Sequence, residues 1–319
     1  MNSFCRIVFC LGFLVSLVSC DKEEQAKEIL EYDKIVPIIP DIQYYTNDDE
    51  RVHYLQSIVR FCNNKKEDIE FCIQTGDVTN NNQPQQWESA YENFFSKLEG
   101  TFPTIFCLGN HDYGENGLSG TRTSNIPDKI LPKTDIKMEG CRYDNYVRFV
   151  RFGGRVFAVL TLEFAPRNET LTWANSIIES LTDIPFIILT HAFLNNQGKL
   201  FDQQDSSCDN EYSQKSYAMG GDYLNDSKEI FDKIVSKNDN VKMILCGHCL
   251  YPDFIAVDYV KNSAGKEVPC IMVNYQHDTD GGRGNIGLLA YKGDDFTLYS
   301  YSTTEGNMKG RKIATIKID

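Results

Sequence analysis

The side chains with the clearest chemical potential lie in Gly109-Asn110-His111-Asp112, directly after the apolar run 103–108. An apolar run of this length is typical of a strand covered on both faces. Gly109 permits a tight turn, so the three side chains after it would gather at the carboxyl end of the strand, where open α/β sheets bind ligands. An amide, an imidazole and a carboxylate can ligate metal ions or move protons. For this stretch alone, a simple turn is the alternative.

The same arrangement recurs at four other places in the chain. Each time, an apolar run ends on residues with oxygen or imidazole donors: Asp41 and Gln43, Asp77, His191, and His248. Three of the five histidines lie at such ends, which random scatter would rarely produce. These donors suit Mn²⁺, Fe or Zn²⁺ and do not indicate thiolate chemistry. Two metal ions that share one carboxylate would explain so many ligands.

Alternating strands and helices must position these residues. In the first half the apolar spacing predicts strands over 35–40, 69–75 and from 103, with helices over 49–62 and 84–98 between them. Such alternation implies right-handed crossovers and a largely parallel sheet. The second half repeats the pattern, and short strands follow residue 250. We expect a polar loop over 114–141 near the site, and one domain over residues 34–319.

The amino terminus contains a predicted targeting signal. Residues 1–20 hold one basic residue, Arg6, no acidic residue and an apolar run, which predicts a secretory signal peptide. The run ends in Leu17-Val18-Ser19-Cys20, which resembles the lipobox of bacterial lipoproteins and implies a lipidated Cys20. An ordinary signal peptide is the alternative. Residues 21–33 are expected to form a solvated tether, so the protein would be exported and anchored to a bacterial membrane at the cell envelope.

The charge of the chain restricts its partners. Removal of residues 1–20 takes away one of 32 basic and none of 45 acidic residues, which leaves a net charge of 31 − 45 = −14. Such a surface repels polyanions, so no nucleic acid partner is expected. A phosphate-bearing substrate would have to be attracted by bound cations. We expect a monomer.

Taken together, the five motifs resemble the motif series of the calcineurin-like metallophosphoesterases across about residues 35 to 250. They stand in the same order as in that family: Asp41-Ile42-Gln43, Gly76-Asp77, Gly109-Asn110-His111-Asp112, His191 and Gly247-His248. The resemblance implies an α/β fold, namely a four-layer αββα sandwich with mixed sheets. It also implies a dinuclear metal centre with two divalent ions, Mn, Fe, Zn or Mg, and a phosphoester substrate.

The resemblance assigns a role to each site residue. Asp77 would bridge the two ions, Asp41 and Gln43 would hold the first, and the second would bind three further ligands: Asn110, His191 and His248. His111 would act beside the phosphate as an electrophile or general acid, oriented by Asp112, while a metal-bound hydroxide attacks phosphorus in line.

The chain departs from the family pattern at the first metal position. Gln43 stands where the family usually has His, and Leu250 stands where it has a second His after the last motif. A branch of the family with Asp-x-Gln as its first motif is similar to this chain, and three more segments match it: Tyr44-Tyr45, Gln85-Gln86-Trp87 and Asn274-Tyr275-Gln276. Gln276 and His277 are candidates to complete the site. For His277, a surface loop position is the alternative.

The sequence therefore predicts a metal-dependent hydrolase of phosphomonoesters or phosphodiesters at the cell envelope. The weakened first metal position motivates an alternative, a catalytically degenerate phosphoesterase fold that acts as a surface binding protein. Metal content discriminates between the two, because only the enzyme needs both ions. A nuclease is disfavoured by the acidic surface.

Overall fold

The structure is a computed structural model that describes residues 27–217, 219 and 223–318. The predicted signal peptide, Cys20 and residues 21–26 lie outside the described residues.

The described chain forms two seven-stranded sheets. The first contains, in spatial order, β1 (Glu28–Ile29), β14 (Lys309–Ile316), β13 (Asp295–Ser302), β12 (Asn285–Lys292), β2 (Lys34–Ile39), β3 (Cys72–Gln74) and β4 (Thr104–Phe106). The second contains β10 (Ile255–Lys261), β11 (Glu267–Val273), β9 (Val241–Cys246), β8 (Phe186–Leu189), β7 (Arg155–Thr161), β6 (Tyr146–Phe152) and β5 (Ile136–Lys137).

Both sheets are mixed, as the sequence predicts. Strands β2, β3 and β4 run parallel, and so do β11, β9, β8 and β7. Antiparallel strands flank these parallel centres, for example β12 beside β2 and β6 beside β7. Parallel strands end at the same edge of their sheet, so the polar residues that follow them are brought together there.

Helices follow several of the strands. They are α1 (Gln43–Thr46), α2 (Val52–Asn64), α3 (Pro84–Ala90), α4 (Ser96–Leu98), α5 (Asn168–Ser180) and α6 (Ser227–Ile230). π-Helical turns over Tyr91–Phe95 and Phe231–Val235 continue α3 into α4 and extend α6. Short 3₁₀ turns occur at Asn110–Asp112, Glu115–Gly117, Asp128–Ile130, Gln214–Ser216 and Thr279–Gly281. Across the described ranges, no helix is both long enough and apolar enough to cross a membrane.

Two apolar cores explain why the central strands are apolar on both faces. In β2, Val36 and Ile38 pack into a core that takes residues from both sheets, such as Ile187 of β8. Ile35 and Ile39 point the other way and join a second core that includes the helices. Because side chains alternate along a strand, a strand between two cores has no polar face. This arrangement is the predicted four-layer αββα sandwich.

Two features at the edge of the first sheet were not predicted. The apolar spacing of the sequence does not predict β14, because its lysines and arginine leave only part of one face apolar, as is usual near a sheet edge. β1 lies inside the segment expected to be tether, where it pairs with β14 while Leu30 is buried. Ordered packing therefore begins before Lys34.

A buried polar network anchors the loop over 114–141. Arg122, from this loop, forms an ion pair of 3.0 Å with Glu163, which is itself 1% exposed. Arg167 bonds the same carboxylate, and Asp144 accepts a hydrogen bond of 2.6 Å from Tyr113. Burial and the nearby charge of Glu163 raise the pKa of Asp144 to about 6. The network thus contains one carboxyl group that resists ionisation.

We expect Asp144→Asn to stabilise the protein at neutral pH. The folded protein keeps the Asp144 proton to about pH 6, whereas the unfolded chain loses it near the usual pKa of about 3.9. Ionisation of Asp144 therefore lowers the free energy of unfolding as pH rises from about 4 to about 6, and the free energy stays lowered at higher pH. The gain should be roughly 1–3 kcal/mol at pH 7.5. Urea unfolding at pH 7.5 and pH 3.5 checks this, since equal gains at both values would contradict it.

Candidate metal centre

The motif residues of the sequence meet at one pocket, at the carboxyl ends of β2, β3, β4, β8 and β9. The pocket has a volume of about 250 Å³, and its lining includes Gln43, Asp77, Asn110, His111 and His248. Two more predicted ligands, Asp41 and His191, are buried at 2% and 0% exposure. The structure therefore brings together residues that are up to 207 positions apart in the chain.

Three side chains form the tightest group of possible metal ligands. Asp77, His191 and His248 each offer one donor atom, and these atoms lie within 4.8 Å of one another. His191 Nε2 is 3.2 Å from Asp77 Oδ2 and 3.2 Å from His248 Nδ1. Metal–ligand bonds to N and O are about 2.0–2.2 Å long, so neighbouring ligands of one ion must come about this close. These three residues fit the second metal position that the sequence predicts.

Backbone carbonyls fix which imidazole nitrogens face this position. His191 Nδ1 lies 2.7 Å from the carbonyl oxygen of Thr75, and His248 Nε2 lies 2.9 Å from that of Tyr212. A carbonyl only accepts, so each of these nitrogens donates its proton, and the lone pairs are left on His191 Nε2 and His248 Nδ1. Those are the two nitrogens that converge. A hydrogen-bonded ring with its free nitrogen aimed inward is the usual arrangement of a metal-binding histidine.

Unusual backbone conformations hold the ligands in place. Asp77 has φ 51° and His248 has φ 72°, both in the left-handed region that residues other than glycine rarely adopt. Such conformations cost about 1–3 kcal/mol each and cluster at functional sites. Gly109 and Gly247 allow close packing, because a Cβ atom would lie 2.1 Å from Asp77 Oδ1 or 2.5 Å from Asp41 Oδ1. The motif glycines therefore leave room for the carboxylates.

Unpaired amide oxygens indicate that the pocket suits cations. Gln43 Oε1, Asn110 Oδ1 and Gln276 Oε1 are buried without a hydrogen-bond partner among the described residues, and all three residues line the pocket. A buried acceptor without a partner costs about 1–3 kcal/mol. Hard divalent cations bind amide oxygens well. Gln43 and Asn110, one expected ligand for each ion, therefore fit the dinuclear centre.

Asp41, a predicted ligand of the first ion, is held by two hydrogen bonds. Its Oδ1 accepts a hydrogen bond of 3.4 Å from the backbone of His248, and its Oδ2 accepts one of 3.0 Å from Asn274 Nδ2. Asn274 is thus a site residue whose orienting role the sequence did not reveal. The only signal was its place in the Asn274-Tyr275-Gln276 segment.

Strong electrostatic coupling joins the buried charges. Burial opposes charge on both Asp77 and His191, but their mutual attraction outweighs it. As a result, the pKa of Asp77 falls to about 2 and that of His191 rises to about 9. Burial and the nearby His191 lower the pKa of His248 to about 3, and burial raises that of Asp41 to about 8. Without an ion, a proton on His191 supplies the positive charge that the carboxylates require, and metal binding would displace it.

His111 occupies the wall of the pocket, as expected, but its orientation has a different source. Its ring Nδ1 lies 2.9 Å from the carbonyl oxygen of Asn80, and its backbone N–H donates to Asp77 Oδ1 at 3.0 Å. Asp112 was predicted to orient this ring. Instead, its carboxylate accepts hydrogen bonds from three backbone amides: Val78, Thr79 and Gly109. Asp112 therefore fixes the loop that carries Asp77, and the Asn80 carbonyl orients His111.

Residues from distant loops form the rim of the pocket. Tyr212 and Tyr217 come from the polar segment after His191, and Leu250 and His277 come from turns near the carboxyl end of the second sheet's strands. The hydroxyl of Tyr217 is 3.4 Å from His248 Nε2. No residue of the loop over 114–141 is among those that line this pocket in the described chain. The loop over 114–141 nevertheless lies near the site, as predicted, since Ser119 Oγ donates to the backbone carbonyl of Asn110 at 2.7 Å. The polar segment that lines the pocket is the later one, for which the sequence carried no specific signal.

Comparison with known proteins agrees with this geometry. The sequence profile of the calcineurin-like phosphoesterase family matches residues 37–251, more than half of the chain, and the protein belongs to this family. The chain is also similar to the uncharacterized protein YvnB of Bacillus subtilis (strain 168), with 22% identity over 295 residues. That match covers 86% of this chain and 21% of YvnB, so the chain spans about a fifth of that relative's length.

The chain is also similar to part of a solved structure. The purple acid phosphatase PPD1 from yellow lupin (Lupinus luteus) seeds superposes with a TM-score of 0.47 at 14% sequence identity. The match covers 86% of this chain and 52% of the lupin chain.

Proposed function

We propose that the protein is a metal-dependent phosphoesterase that hydrolyses phosphomonoesters or phosphodiesters. The observation that carries the proposal is the convergence of His191 Nε2, His248 Nδ1 and Asp77 Oδ2, with both tautomers fixed by backbone carbonyls. Unpaired oxygens of Gln43 and Asn110 extend this group of donors into the pocket. Such a set of ligands has little use in a surface that merely binds a partner.

Each residue of the pocket has a chemical task in this proposal. Six residues would hold the two divalent ions: Asp41, Gln43, Asp77, Asn110, His191 and His248. When bound, the ions supply positive charge to the phosphate oxygens and activate a water for attack. Nδ1 of His111 donates its proton to the Asn80 carbonyl, so the proton for the leaving oxygen would come from Nε2 of the imidazolium form, which returns to neutral imidazole. Asp112 keeps the Asp77 loop rigid while this occurs.

A screen of chromogenic esters tests the proposal. The purified protein, stripped with a chelator, is supplied separately with Mn²⁺, Fe²⁺, Zn²⁺ or Mg²⁺ and assayed on aryl phosphomonoesters and bis-aryl phosphodiesters. We expect turnover that depends on added metal and disappears when the metal is chelated. No bound metal after metal-replete purification, together with no hydrolysis of any ester, would favour the binding-protein alternative.

We also propose that the protein is attached to a bacterial membrane through lipidated Cys20. The support is the signal-like run of residues 1–20 and its lipobox-like end, all of which precede the described residues. Cys20→Ala should release the protein from membranes, because no other segment of the sequence shows a lipid-directed pattern. Fractionation and blotting measure this, with Cys10→Ala as the control for loss of a cysteine in the same segment. Unchanged membrane association of the Cys20 variant would refute the anchor.

A further inference from the structure

We infer that Gln276 is a ligand of the first metal position and that this position is an oxygen-only site for a hard cation such as Mn²⁺ or Mg²⁺. The inference rests on the proposed function, since it concerns the same dinuclear centre. Its starting point is the third unpaired amide oxygen of the pocket, Gln276 Oε1, which is buried and has no hydrogen-bond partner in the part of the chain that the structure describes.

A short chain of hydrogen bonds ties Gln276 to the first position. Asn274 Nδ2 donates to Asp41 Oδ2 at 3.0 Å, and Asn274 Oδ1 accepts from the backbone N–H of Gln276 at 2.9 Å. One side chain therefore orients a predicted ligand of the first ion and the backbone of Gln276 together. The start of the Gln276 side chain is therefore fixed relative to Asp41 through Asn274.

The loop after Gln276 is also fixed against the helix that carries Gln43. The hydroxyl of Tyr45, in α1, donates to the carbonyl of Gly281 and accepts from the backbone N–H of Gly284 at 2.9 Å. Tyr45 is 2% exposed, so this joint is buried. Gln43 and Gln276 thus lie on two segments locked to each other, and their unpaired oxygens share one pocket.

His277 has a supporting part in this arrangement. Its Nε2 lies 3.1 Å from Gln276 Nε2, which donates because an amide nitrogen has no lone pair to accept with. The contact holds the nitrogen of the amide at the exposed rim and leaves Oε1 directed inward. His277 is itself exposed, which agrees with the surface position considered for it and makes it a positioning residue.

The donor types then separate the two metal positions chemically. The first would have carboxylate and amide oxygens from Asp41, Gln43, Gln276 and the shared Asp77, and no imidazole. The second has two imidazoles. Oxygen donors suit Mg²⁺ and Mn²⁺, whereas imidazole favours Zn²⁺ and Fe. The substitution of Leu250 for the expected histidine thus changes the preferred ion and does not abolish the position.

Metal titrations test this without any assay of turnover. The chelator-stripped full chain is loaded with one equivalent of Zn²⁺, and Mn²⁺ is then added while calorimetry and the EPR signal of free Mn²⁺ report binding. We expect the natural protein to bind one equivalent of Mn²⁺ beside the zinc. Gln276→Leu should weaken Mn²⁺ binding by about tenfold or more and leave zinc affinity unchanged. Gln276→His should instead let the position take a second zinc.

A matched control and a paired variant sharpen the result. Gln56→Leu removes an exposed glutamine of α2 whose Nε2 also donates to one side chain, Asn93, and it should change neither affinity. If Gln43 and Gln276 share an ion, the double variant Gln43→Leu with Gln276→Leu should lose less Mn²⁺ affinity than the two single losses combined.

Two results would overturn the inference. If Gln276→Leu binds Mn²⁺ with the affinity of the natural protein, Gln276 is not a ligand. If the variant binds Mn²⁺ and Zn²⁺ more weakly by the same factor, the role of Gln276 is only structural. Failure of this inference differs from failure of the proposed function. A protein that binds both ions as described but hydrolyses no ester contradicts only the function, whereas an active enzyme indifferent to Gln276→Leu contradicts only the ligand.

Discussion

Asp77→Asn should abolish ester hydrolysis and reduce the metal content of both positions. Asp77 is the carboxylate in contact with His191, at 3.2 Å, and it also accepts the backbone N–H of His111. An amide of the same size keeps the hydrogen bond from His111 but loses the negative charge, and it bridges two cations poorly. Because the carboxylate is proposed to serve two ions, we expect the metal content to fall from about two equivalents to one or fewer and activity to reach background.

Elemental analysis and circular dichroism on the dialysed variant separate this effect from misfolding. Asp144→Asn is the matched control, because Asp144 is also a buried aspartate but lies outside the residues that line the pocket. That variant should retain its metal and its activity. Unchanged metal stoichiometry in Asp77→Asn would show that Asp77 bridges nothing.

His111→Ala should keep the fold and both ions but lower turnover by roughly a hundredfold or more, the usual contribution of a general acid. The side chain lines the pocket without belonging to the group of converging metal donors. Its Nδ1 is committed to Asn80, so the loss removes the Nε2 proton donor. The loss should be largest for esters with poor leaving groups, since an alkoxide needs the proton more than a nitrophenolate does.

The leaving-group series provides the measurement. The kcat of His111→Ala and of the natural protein is compared on esters whose alcohols span several pKa values. His53→Ala is the control, because His53 is an exposed histidine whose Nδ1 also bonds a backbone carbonyl, that of Glu50, at 2.7 Å. If kcat falls by the same factor for all leaving groups, His111 does not transfer a proton and its role is only electrostatic.

The sequence by itself determined that the central strands are largely parallel and at which strand ends the candidate site residues stand. Apolar runs followed by Asp41, Asp77, Asn110, His191 and His248 each required a strand buried on both faces and a polar carboxyl end. Parallel strands share that edge, so the meeting of these residues follows from chain direction alone. The family match spans residues 37–251, a range that contains all five motifs.

Tertiary structure decided how these residues are oriented. The family resemblance implied that Asp112 orients the His111 ring, yet the 3₁₀ turn over Asn110–Asp112 points its carboxylate at the backbone of Val78 and Thr79. The sequence gives residue order but not the direction of a side chain within a turn. The tautomers of His191 and His248 depend likewise on carbonyls of Thr75 and Tyr212, which no motif marks.

Only the folded chain could also bring remote loops to the site. Asn274 reaches Asp41 across 233 positions, and Tyr217 reaches His248 from a polar segment without periodicity. Strand positions follow from repeating patterns of burial, so a sequence encodes them redundantly. A loop contact depends on a few dihedral angles and on what the loop packs against, so the sequence predicted which strands would end at the metal centre, while the structure alone showed which loop residues complete it.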